Sequence, residues 1–394
     1  RREGHGGNEP AAPAAGLIQG SGKSARSRGE DRRRADACVM RLAVVAAMLA
    51  AVGSFGRALR APRGVRAVPG AIAGRVRTAV HASTPDVEDE PSRKPFETDT
   101  LLASLAGGDG QVSVKIVSCR EAVQEAMLRQ QLRPAAAAAL GEVMACSLLL
   151  ANGLKGEETL QVNLVSGRDE GLRNIMAISD GEGGVRALVG NPAAELDDAA
   201  ERLSATDLVG PGQVQLVRMH PSYIQPYSGV SELVNGPIST NLALHQTTSE
   251  QRATALLADV RVEGALVRHA IALLVERLPG ADEETAKAAE ANVNLVAEAG
   301  IRSIIQGERV SQGVEKLHGM LTLGLSTSLR TFAFPQYKCG CSAAKVENTI
   351  RMLSEEELEA TLEEVGMLEF RCNFCNTVYR YGPEETRAIK ASAP

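Results

Sequence analysis

The chain contains no tryptophan, and aromatic residues make up only 3% of its 394 residues. It also lacks a Gly-x-x-x-x-Gly-Lys-Ser/Thr loop, through which many ATP-driven proteins hold phosphate groups. No serine or cysteine stands in a nucleophile motif, and the histidines beyond residue 200 (His220, His245, His269 and His318) lack metal-ligand spacing. The sequence therefore names no active site, and we predict that the protein is not an enzyme.

Acidic residues are scarce at the start of the chain and dominate afterwards. Residues 1–81 hold fifteen Lys and Arg against five Asp and Glu, a net charge of +10, whereas the whole chain carries −5. Residues 82–394 therefore carry about −15. Nucleic-acid binding requires a basic face that neutralises phosphates, so this acidic body argues against nucleic acid as a partner.

The basic beginning has the composition of a targeting leader. Met40 is a better start than Arg1, because it opens an apolar run at residues 42–52. That run has the length of a signal-peptide core and is too short to span a bilayer, so we expect no membrane partner. Residues 40–81 contain seven Arg and no acidic residue. We expect residues 1–95 to be a leader and linker of the plastid (chloroplast) type, with a secretory signal or a mitochondrial presequence as alternatives.

From residue 96 onward, short runs of alternating apolar residues predict an α+β fold with mostly antiparallel strands. Alternation at period two is the pattern of half-buried strands. The predicted strands are residues 111–117, 159–165, 174–179, 185–189 and 214–219. Glycines at residues 181–184 are not followed by the Lys-Ser/Thr of a phosphate loop, so a hairpin turn is expected there.

Helices are predicted where apolar residues recur at helical spacing. The predicted helices are residues 120–131, 134–152, 238–245 and 267–278. Residues 253–261 are expected to form a strand. Cys146 lies within an apolar helical stripe, which favours a small buried hydrophobe over a reactive thiol.

Residues 281–335 form a charged, alanine-rich segment. A helix is expected to begin near Asp282 and to run to Gln306, since glutamates in its first turn suit the positive end of the helix dipole. Its apolar residues form only a thin stripe, so the helix needs a partner surface to stay folded. An ordinary packed helix and a conformational switch both fit this pattern.

The most specific feature is two close cysteine pairs near the C-terminus. Cys339 and Cys341 form a C-x-C motif, and Cys372 and Cys375 form a C-x-x-C motif about thirty residues later. Four thiolates match the tetrahedral, sulfur-rich coordination of Zn²⁺ at about 2.3 Å, and they leave no open position for catalysis. We predict one zinc ion per chain held by these cysteines, with two disulfides or unrelated buried thiols as alternatives.

The surrounding residues 336–394 are acidic and have few core-forming residues. They contain seven Lys and Arg against ten Asp and Glu, whereas a zinc ribbon that contacts nucleic acid should be basic. Ser354 opens a helix with a capping box, and Leu358, Leu362 and Val365 would give that helix an apolar face. In so small a segment, metal binding would supply much of the folding free energy.

These motifs occur together with further sequence matches. An aromatic residue, Tyr379, follows the second cysteine pair, and Leu-Lys-Gly at residues 154–156 follows an apolar helix. Residues 226–234 read Pro-Tyr-Ser-Gly-Val-Ser-Glu-Leu-Val, and residues 278–284 read Leu-Pro-Gly-Ala-Asp-Glu-Glu. Over residues 96–390 this combination resembles the redox-regulated holdase chaperones of the heat shock protein 33 (Hsp33) family.

The resemblance implies that three parts of the chain have different roles. It implies an α+β main domain at residues 96–280 that binds unfolding client proteins without ATP. A helical linker or switch would occupy residues 281–335, and a zinc-binding redox-switch domain would occupy residues 336–394. In this family the active, oxidised form is often a homodimer.

The resemblance also implies how the cysteines act. Oxidation by peroxide or hypochlorous acid would pair Cys339 with Cys341 and Cys372 with Cys375, expel the zinc and uncover apolar surface. Reduction would reverse the change. One departure lies next to these ligands: Asn376 stands where the family usually has glycine, and asparagine tolerates a left-handed backbone.

Three other functions remain open at this point. An enzyme whose zinc domain is merely structural would keep its full activity whatever the oxidation state of the cysteines. A thiol–disulfide oxidoreductase would use Cys372 and Cys375, but it requires the C-x-x-C motif at the start of a helix in a βαβ context, which the flanking residues do not show. A zinc-ribbon nucleic-acid-binding protein would require a basic surface, which the charge disfavours.

Overall fold

Two β-sheets and the helices packed on them form the part of the chain that this computed structural model describes. That part comprises residues 99–392 apart from residues 109, 168, 170, 195 and 197–202. The predicted leader and linker at residues 1–95, with the start at Met40, lie outside the described residues.

The described elements alternate between strands and helices along the chain. In chain order the strands are β1 Thr100–Ala106, β2 Val112–Ser118, β3 Thr159–Ser166, β4 Asn174–Asp180, β5 Gly184–Val189, β6 Gly212–Met219, β7 Tyr227–Glu232, β8 Thr254–Glu263, β9 Leu266–Arg277, β10 Thr327–Ala333, β11 Gln336–Tyr337, β12 Leu368–Arg371 and β13 Val378–Tyr381. The helices are α1 Arg120–Gln130, α2 Pro134–Ala151, α3 Ala205–Val209, α4 Ile238–Thr248, α5 Glu283–Ala299, α6 Ile301–Ile305, α7 Val310–Leu321, α8 Ala343–Met352, α9 Glu355–Val365 and α10 Pro383–Ala391.

The strands pair almost entirely in antiparallel fashion. A five-stranded sheet has the order β10-β1-β2-β9-β8, a six-stranded sheet has the order β11-β5-β4-β3-β6-β7, and β12 and β13 form a hairpin. The exception among the described pairs is β11, which lies parallel to β5. The predicted α+β class with mostly antiparallel strands is confirmed.

Helix α2 lies between the two sheets and forms the centre of the larger core. It contacts strands of both sheets, and Leu140, Met144, Cys146 and Leu149 are buried to within 1% of full burial. The helix is long and apolar enough to cross a membrane by length and composition alone, but 78% of it is buried inside the protein. Burial between two sheets is the position of a core helix, and it confirms the prediction for Cys146.

The helix predicted at residues 267–278 is wrong. These residues form most of β9, which lies between β2 and β8 in the five-stranded sheet. Because both faces of this inner strand are covered, its apolar residues run almost continuously, and such a run does not distinguish a strand from a buried helix. The turn at Gly264, with a φ of +57°, reverses the chain between β8 and β9.

The single helix predicted from Asp282 to Gln306 is also wrong, since the chain breaks it at Gly300. Gly300 has a φ of +77°, a left-handed conformation that ends α5 and begins the short α6. The predicted start is close to the observed one: the Asp282 carboxylate caps α5 by accepting a hydrogen bond of 2.7 Å from the Thr285 N–H. The segment then continues through α7 and ends in a strand, β10, which the sequence analysis did not anticipate.

Helices α5, α6 and α7 cover the face of the five-stranded sheet that points away from α2. Leu102, Ile116 and Leu273 of the sheet pack with Val296 of α5 and Leu317 of α7 in one buried cluster. This helical layer seals an apolar sheet face from water, and the chain continues from it through β10 and β11 to the first cysteine pair.

Polar contacts fasten the same layer at its two ends. The Arg302 guanidinium of α6 donates to the Asp259 carboxylate of β8, with a shortest N–O distance of 2.9 Å. Burial raises the pKa of Asp259, but hydrogen bonds from His269 and Arg302 outweigh burial and leave that pKa at about 2. At the other end, Ser104 Oγ of β1 lies 2.8 Å from His318 Nε2 of α7.

We expect the replacement Leu317→Ala to destabilise the protein by roughly 2–5 kcal/mol, because Leu317 is fully buried between α7 and the sheet and its loss leaves a cavity. Leu323→Ala is the matched control: the same atoms are removed from a side chain that is 62% exposed, so the change should be within about 0.5 kcal/mol. Urea unfolding of the reduced protein measures both. Equal shifts in the two midpoints would show that α7 does not pack on the sheet in solution.

Candidate metal centre

The structure brings the four predicted cysteines into one cluster. The sulfur atoms of Cys339, Cys341, Cys372 and Cys375 all lie within 4.8 Å of one another. Cys339 Sγ is 3.6 Å from Cys372 Sγ, and Cys341 Sγ is 3.4 Å from Cys375 Sγ. All four are free thiols in this structure, so the alternative of two disulfides is not what is observed.

The first pair is positioned by the six-stranded sheet. Strand β11 pairs in parallel with β5, with Gln336 opposite Gly184 and Tyr337 opposite Val185. The Lys338 N–H donates to the Val185 carbonyl at 2.8 Å, and the Lys338 ammonium lies 3.1 Å from the Asp180 carboxylate. The C-x-C motif begins directly after this anchored strand.

The second pair lies at the tip of the β12–β13 hairpin. The Cys372 N–H donates to the Thr377 carbonyl at 2.9 Å, and the Asn376 N–H donates to the Cys372 carbonyl at 2.8 Å. Asn376 has a φ of +57°, the left-handed conformation that the sequence required at this position. A hairpin tip differs from the helix start that a thioredoxin-like C-x-x-C motif uses, so the site lacks the setting of a disulfide oxidoreductase.

The four sulfurs fit a tetrahedral zinc ion. A zinc–sulfur distance of about 2.3 Å places the sulfurs of an ideal tetrahedron about 3.8 Å apart. The distances of 3.6 Å and 3.4 Å and the limit of 4.8 Å lie close to this value. Four soft donors without a carboxylate or histidine match zinc better than they match magnesium or calcium, which prefer oxygen ligands.

Without a metal, the thiols do not share one protonation state. Burial raises the pKa of the Cys339 thiol to about 12 and also raises the pKa of the Cys341 thiol. Burial likewise raises the pKa of Cys375, but hydrogen bonds from the Thr377 hydroxyl and N–H outweigh it and bring the pKa to about 6. Like charges this close cannot all form unless a cation compensates them. In the absence of a metal the protein therefore favours a thiolate at Cys375 over one at Cys339 or Cys341, and four adjacent thiolates require a compensating cation.

Two further hydroxyl groups form hydrogen bonds with the sulfurs. The Tyr379 hydroxyl donates to Cys341 Sγ at 3.2 Å, and Thr377 Oγ1 lies 3.1 Å from Cys375 Sγ. The bond to Cys341 raises the pKa of Tyr379, because only the protonated phenol can donate to the sulfur. Such outer contacts orient metal ligands and stabilise their negative charge.

The second cysteine pair is in direct contact with the main body of the fold. The carbonyl of Phe374, between the two cysteines, accepts hydrogen bonds from the Tyr337 hydroxyl at 2.6 Å and from the Gln130 amide at 3.4 Å. The Arg186 guanidinium lies 5.1 Å from the centroid of the Phe374 ring. The Asn376 amide donates to the Arg129 carbonyl at the end of α1. The metal centre is thus joined to α1 and β5 by contacts from its own loop.

The C-terminal segment has a small hydrophobic core, as the sequence predicted. Ser354 caps α9 with the predicted capping box, and Leu358 and Leu362 are buried. Val365 was predicted to share their apolar face, but it is 51% exposed because it lies at the last turn of α9, and that part of the prediction is wrong. The buried cluster of this segment holds five residues, among them Ile350 and Tyr381.

No other set of histidine, cysteine or acidic residues among the described residues is arranged to hold a metal ion. The four histidines named above are spread over separate parts of the fold: His220 accepts from the Ser222 N–H, His245 bonds to Ser231, His269 lies near Asp259, and His318 bonds to Ser104. Cys119 is fully buried at the start of α1, and burial raises its pKa well above the usual value. It therefore lies apart from the centre as an unreactive thiol.

The sequence analysis missed the residues that connect the centre to the sheets. Gln130, Arg186 and Tyr337 carry no motif, because their roles depend on chain segments far apart in sequence. The available signal was weak: Tyr337 is one of only five tyrosines and stands two residues before the first ligand.

Comparison with known proteins gives a consistent answer. Residues 99–382 match the family model described as Hsp33 protein. A 33 kDa chaperonin of Synechococcus sp. (strain JA-2-3B'a(2-13)) is 32% identical over 313 residues, which cover 77% of this chain and 93% of the relative. A 33 kDa chaperonin of Thermus thermophilus is 32% identical over 309 residues, covering 74% of this chain and 86% of the relative.

A solved structure agrees with these sequence matches. The crystal structure of the 33 kDa chaperonin (heat shock protein 33 homolog) from Thermotoga maritima aligns with a TM-score of 0.64 and 26% sequence identity. The alignment covers 74% of this chain and 97% of the Thermotoga chain. The family match spans more than half of the chain and includes all four clustered cysteines, so this chain belongs to the Hsp33 family of chaperones.

Proposed function

We propose that this protein is an ATP-independent holdase, a chaperone that binds unfolding client proteins under oxidative stress and is activated by oxidation of a zinc-bound four-cysteine centre. The observation that carries the proposal is the cluster of Cys339, Cys341, Cys372 and Cys375 in a chain of this family. The relatives are named as chaperonins, which fits a protein that holds other chains and catalyses no reaction.

In the reduced state these four cysteines would hold one zinc ion. The ion would compensate the charge of four adjacent thiolates and so keep them deprotonated and reactive toward oxidants. Thr377 and Tyr379 stabilise negative charge on two of the sulfurs. The loop around Phe374 keeps the centre against α1 and β5.

Oxidation would convert four thiolates into two disulfides. Two thiolates and one molecule of hydrogen peroxide give one disulfide and two hydroxide ions, so one centre consumes two molecules of peroxide and releases Zn²⁺. The family resemblance implies pairing of Cys339 with Cys341 and of Cys372 with Cys375. All four sulfurs lie within 4.8 Å of one another, so pairing within each motif is within reach. It would leave neither a metal nor a covalent bond between the two motifs, and the two segments could then separate.

Separation of the two cysteine motifs would also loosen the helical layer of α5, α6 and α7, because the first motif follows that layer along the chain. Residues 334–338 connect β10 to the first ligand, so loss of the metal removes the anchor at the end of residues 281–335. The layer of α5, α6 and α7 covers the apolar face that includes Leu102, Ile116 and Leu273. Once this layer loosens, that face is exposed and can bind apolar segments of unfolding proteins. Reduction and zinc rebinding would restore the cover.

Two further properties rest on the sequence alone. We infer that the oxidised form is a homodimer, as the family resemblance implies. We also infer, from the apolar run at residues 42–52 and the arginine-rich, acid-free composition of residues 40–81, that the protein enters plastids.

We expect oxidation to switch on client binding and to release about one zinc ion per chain. Reduced and peroxide-treated protein would be compared by light scattering of a chemically unfolded client, with released zinc measured by a colorimetric chelator. Peptide mapping of the oxidised protein should show disulfides within each cysteine motif.

The variant Cys372→Ser should lose oxidation-dependent activation because one disulfide cannot form, whereas Cys146→Ala, which removes a buried thiol of α2, should respond as the unaltered protein does. If zinc stays bound after oxidation, or if both forms suppress aggregation alike, the centre is a structural site and the proposal is wrong.

We expect zinc affinity to fall as the pH falls. At pH 7 the thiols of Cys339 and Cys341 carry protons in the metal-free protein, because burial raises their pKa values, whereas Cys375, with a pKa of about 6, is mostly ionised. Zinc binding must therefore release at least two protons, and the dissociation constant should rise at least about a hundredfold per pH unit on acidification. Competition with a chromophoric chelator between pH 6 and pH 8 measures this slope. A slope below one proton would contradict four-thiolate binding.

A further inference from the structure

Strand β10 occupies the edge of the five-stranded sheet and pairs with β1. Six of its residues stand opposite residues of β1, from Ala333 opposite Leu101 to Thr327 opposite Ala106. The register shifts between Ser104 and Leu105, so the pairing is irregular. Of the side chains described in β10, those of Thr327, Ser328, Thr331 and Phe332 are exposed and that of Ala333 is half-buried. Ala333 packs against the larger core, whereas the other described side chains of β10 are exposed and bury little surface.

Strand β1 has the opposite character. Its sequence, Thr-Leu-Leu-Ala-Ser-Leu-Ala, carries no charge, and Leu101, Leu102 and Ala106 are buried to 1% or less. Leu101 belongs to the core around α2, and Leu102 belongs to the core under the helical layer. The backbone of β1 is thus fixed by packing on both faces and by β2, whether or not β10 is present.

The two edges of this sheet are protected differently. The opposite edge strand, β8, carries Asp259, Arg261 and Glu263, and charges of this kind prevent edge-to-edge association. Strand β1 has no such residue and is protected only by β10. If β10 leaves, β1 becomes a rigid, uncharged edge with a row of unpaired N–H and C=O groups, which is a template for another extended chain.

Strand β10 also lies where the metal centre can control it. It ends at Ala333, six residues before Cys339, and the connection runs through β11. Release of Cys339 and of β11 from β5 would leave the C-terminal end of β10 without an anchor. The sheet edge and the redox centre are therefore consecutive along the chain.

We propose that β10 is a removable cover, and that its departure lets an extended segment of an unfolding polypeptide pair with β1 in its place. The occupant is defined by β10 itself: about six residues in antiparallel register, with backbone hydrogen bonds supplying the affinity and only small or apolar side chains tolerated beside Leu101 and Leu102. This inference rests on the proposed holdase function and specifies where part of the client binds. The client would then bind at two places: the backbone edge of β1 and the apolar sheet face under the helical layer.

Hydrogen exchange of the full-length protein, read by mass spectrometry over residues 99–107, tests the site. The probe is a synthetic peptide with the sequence of residues 325–334, and the control peptide carries Thr331→Pro, which removes one N–H and breaks the ladder. In the oxidised, zinc-free protein we expect β1 amides to exchange at least about tenfold faster than in the reduced protein, since a few ladder hydrogen bonds are lost. The first peptide should restore protection and compete with an unfolded client, and the proline peptide should do neither.

A protein variant tests the edge without any oxidation. Thr331→Pro in the full-length, reduced protein should raise the exchange rate of β1 amides about fivefold to tenfold and give partial suppression of client aggregation with zinc still bound. Thr331→Ala alters the same exposed side chain, keeps the N–H and should leave both readouts unchanged. Because this variant bypasses the cysteines, its result does not depend on whether oxidation activates the protein. If Thr331→Pro fails to fold, the peptide measurement on the oxidised protein decides.

Three results would overturn the inference. β1 amides could stay protected in the oxidised protein while it suppresses aggregation, which would place client binding elsewhere and leave the holdase proposal intact. The peptide could fail to restore protection at saturating concentration. Protection could also return with rising protein concentration alone, which would make a second copy of this chain the occupant.

Discussion

The sulfur atoms of the four clustered cysteines lie within 4.8 Å of one another, so as thiolates they would repel one another unless a cation or protons neutralised them. The local core offers little else: its buried cluster holds five residues. A structural zinc ion contributes about 10–16 kcal/mol to the folding of small peptides, which is as large as the whole stability of a typical domain. With the proposed zinc ion bound, a contribution of this size would make the fold of the segment conditional on whether its sulfurs coordinate the metal.

A change in the four-cysteine cluster would affect the rest of the fold, because its two cysteine pairs contact different parts of the main body. The first cysteine pair continues β11, which belongs to the six-stranded sheet, and the second pair touches α1 and β5 through the loop at Phe374. Neither pair alone fixes the position of the C-terminal segment. The proposed zinc ion would join them, so one chemical event would free both contacts together with the strand that precedes them.

Much of this centre could be predicted from the sequence, because its information is local. Cys372 and Cys375 are held by a turn of a few residues, and Asn376 adopts the left-handed conformation that such a turn requires. The failures occurred where the structure depends on distant partners. Residues 267–278 form a strand because β2 and β8 flank them, and the break at Gly300 lets α6 and α7 turn back onto the sheet. Periodicity alone does not contain that information.

Strand β10 was missed for a reason that bears on its role. Its residues alternate poorly and most of its described side chains are exposed, so the sequence shows no buried face from which to predict a strand. A strand that is held mainly by backbone pairing is one that another chain of similar chemistry can replace. Because its described side chains are mostly exposed, β10 contributes little to the buried cores, whereas β1 beside it is buried on both faces. An edge strand that is always exposed would need charged residues like those of β8 to prevent association with other chains. Strand β1 lacks such residues, which is consistent with our proposal that β10 covers β1 and can be replaced by a client segment.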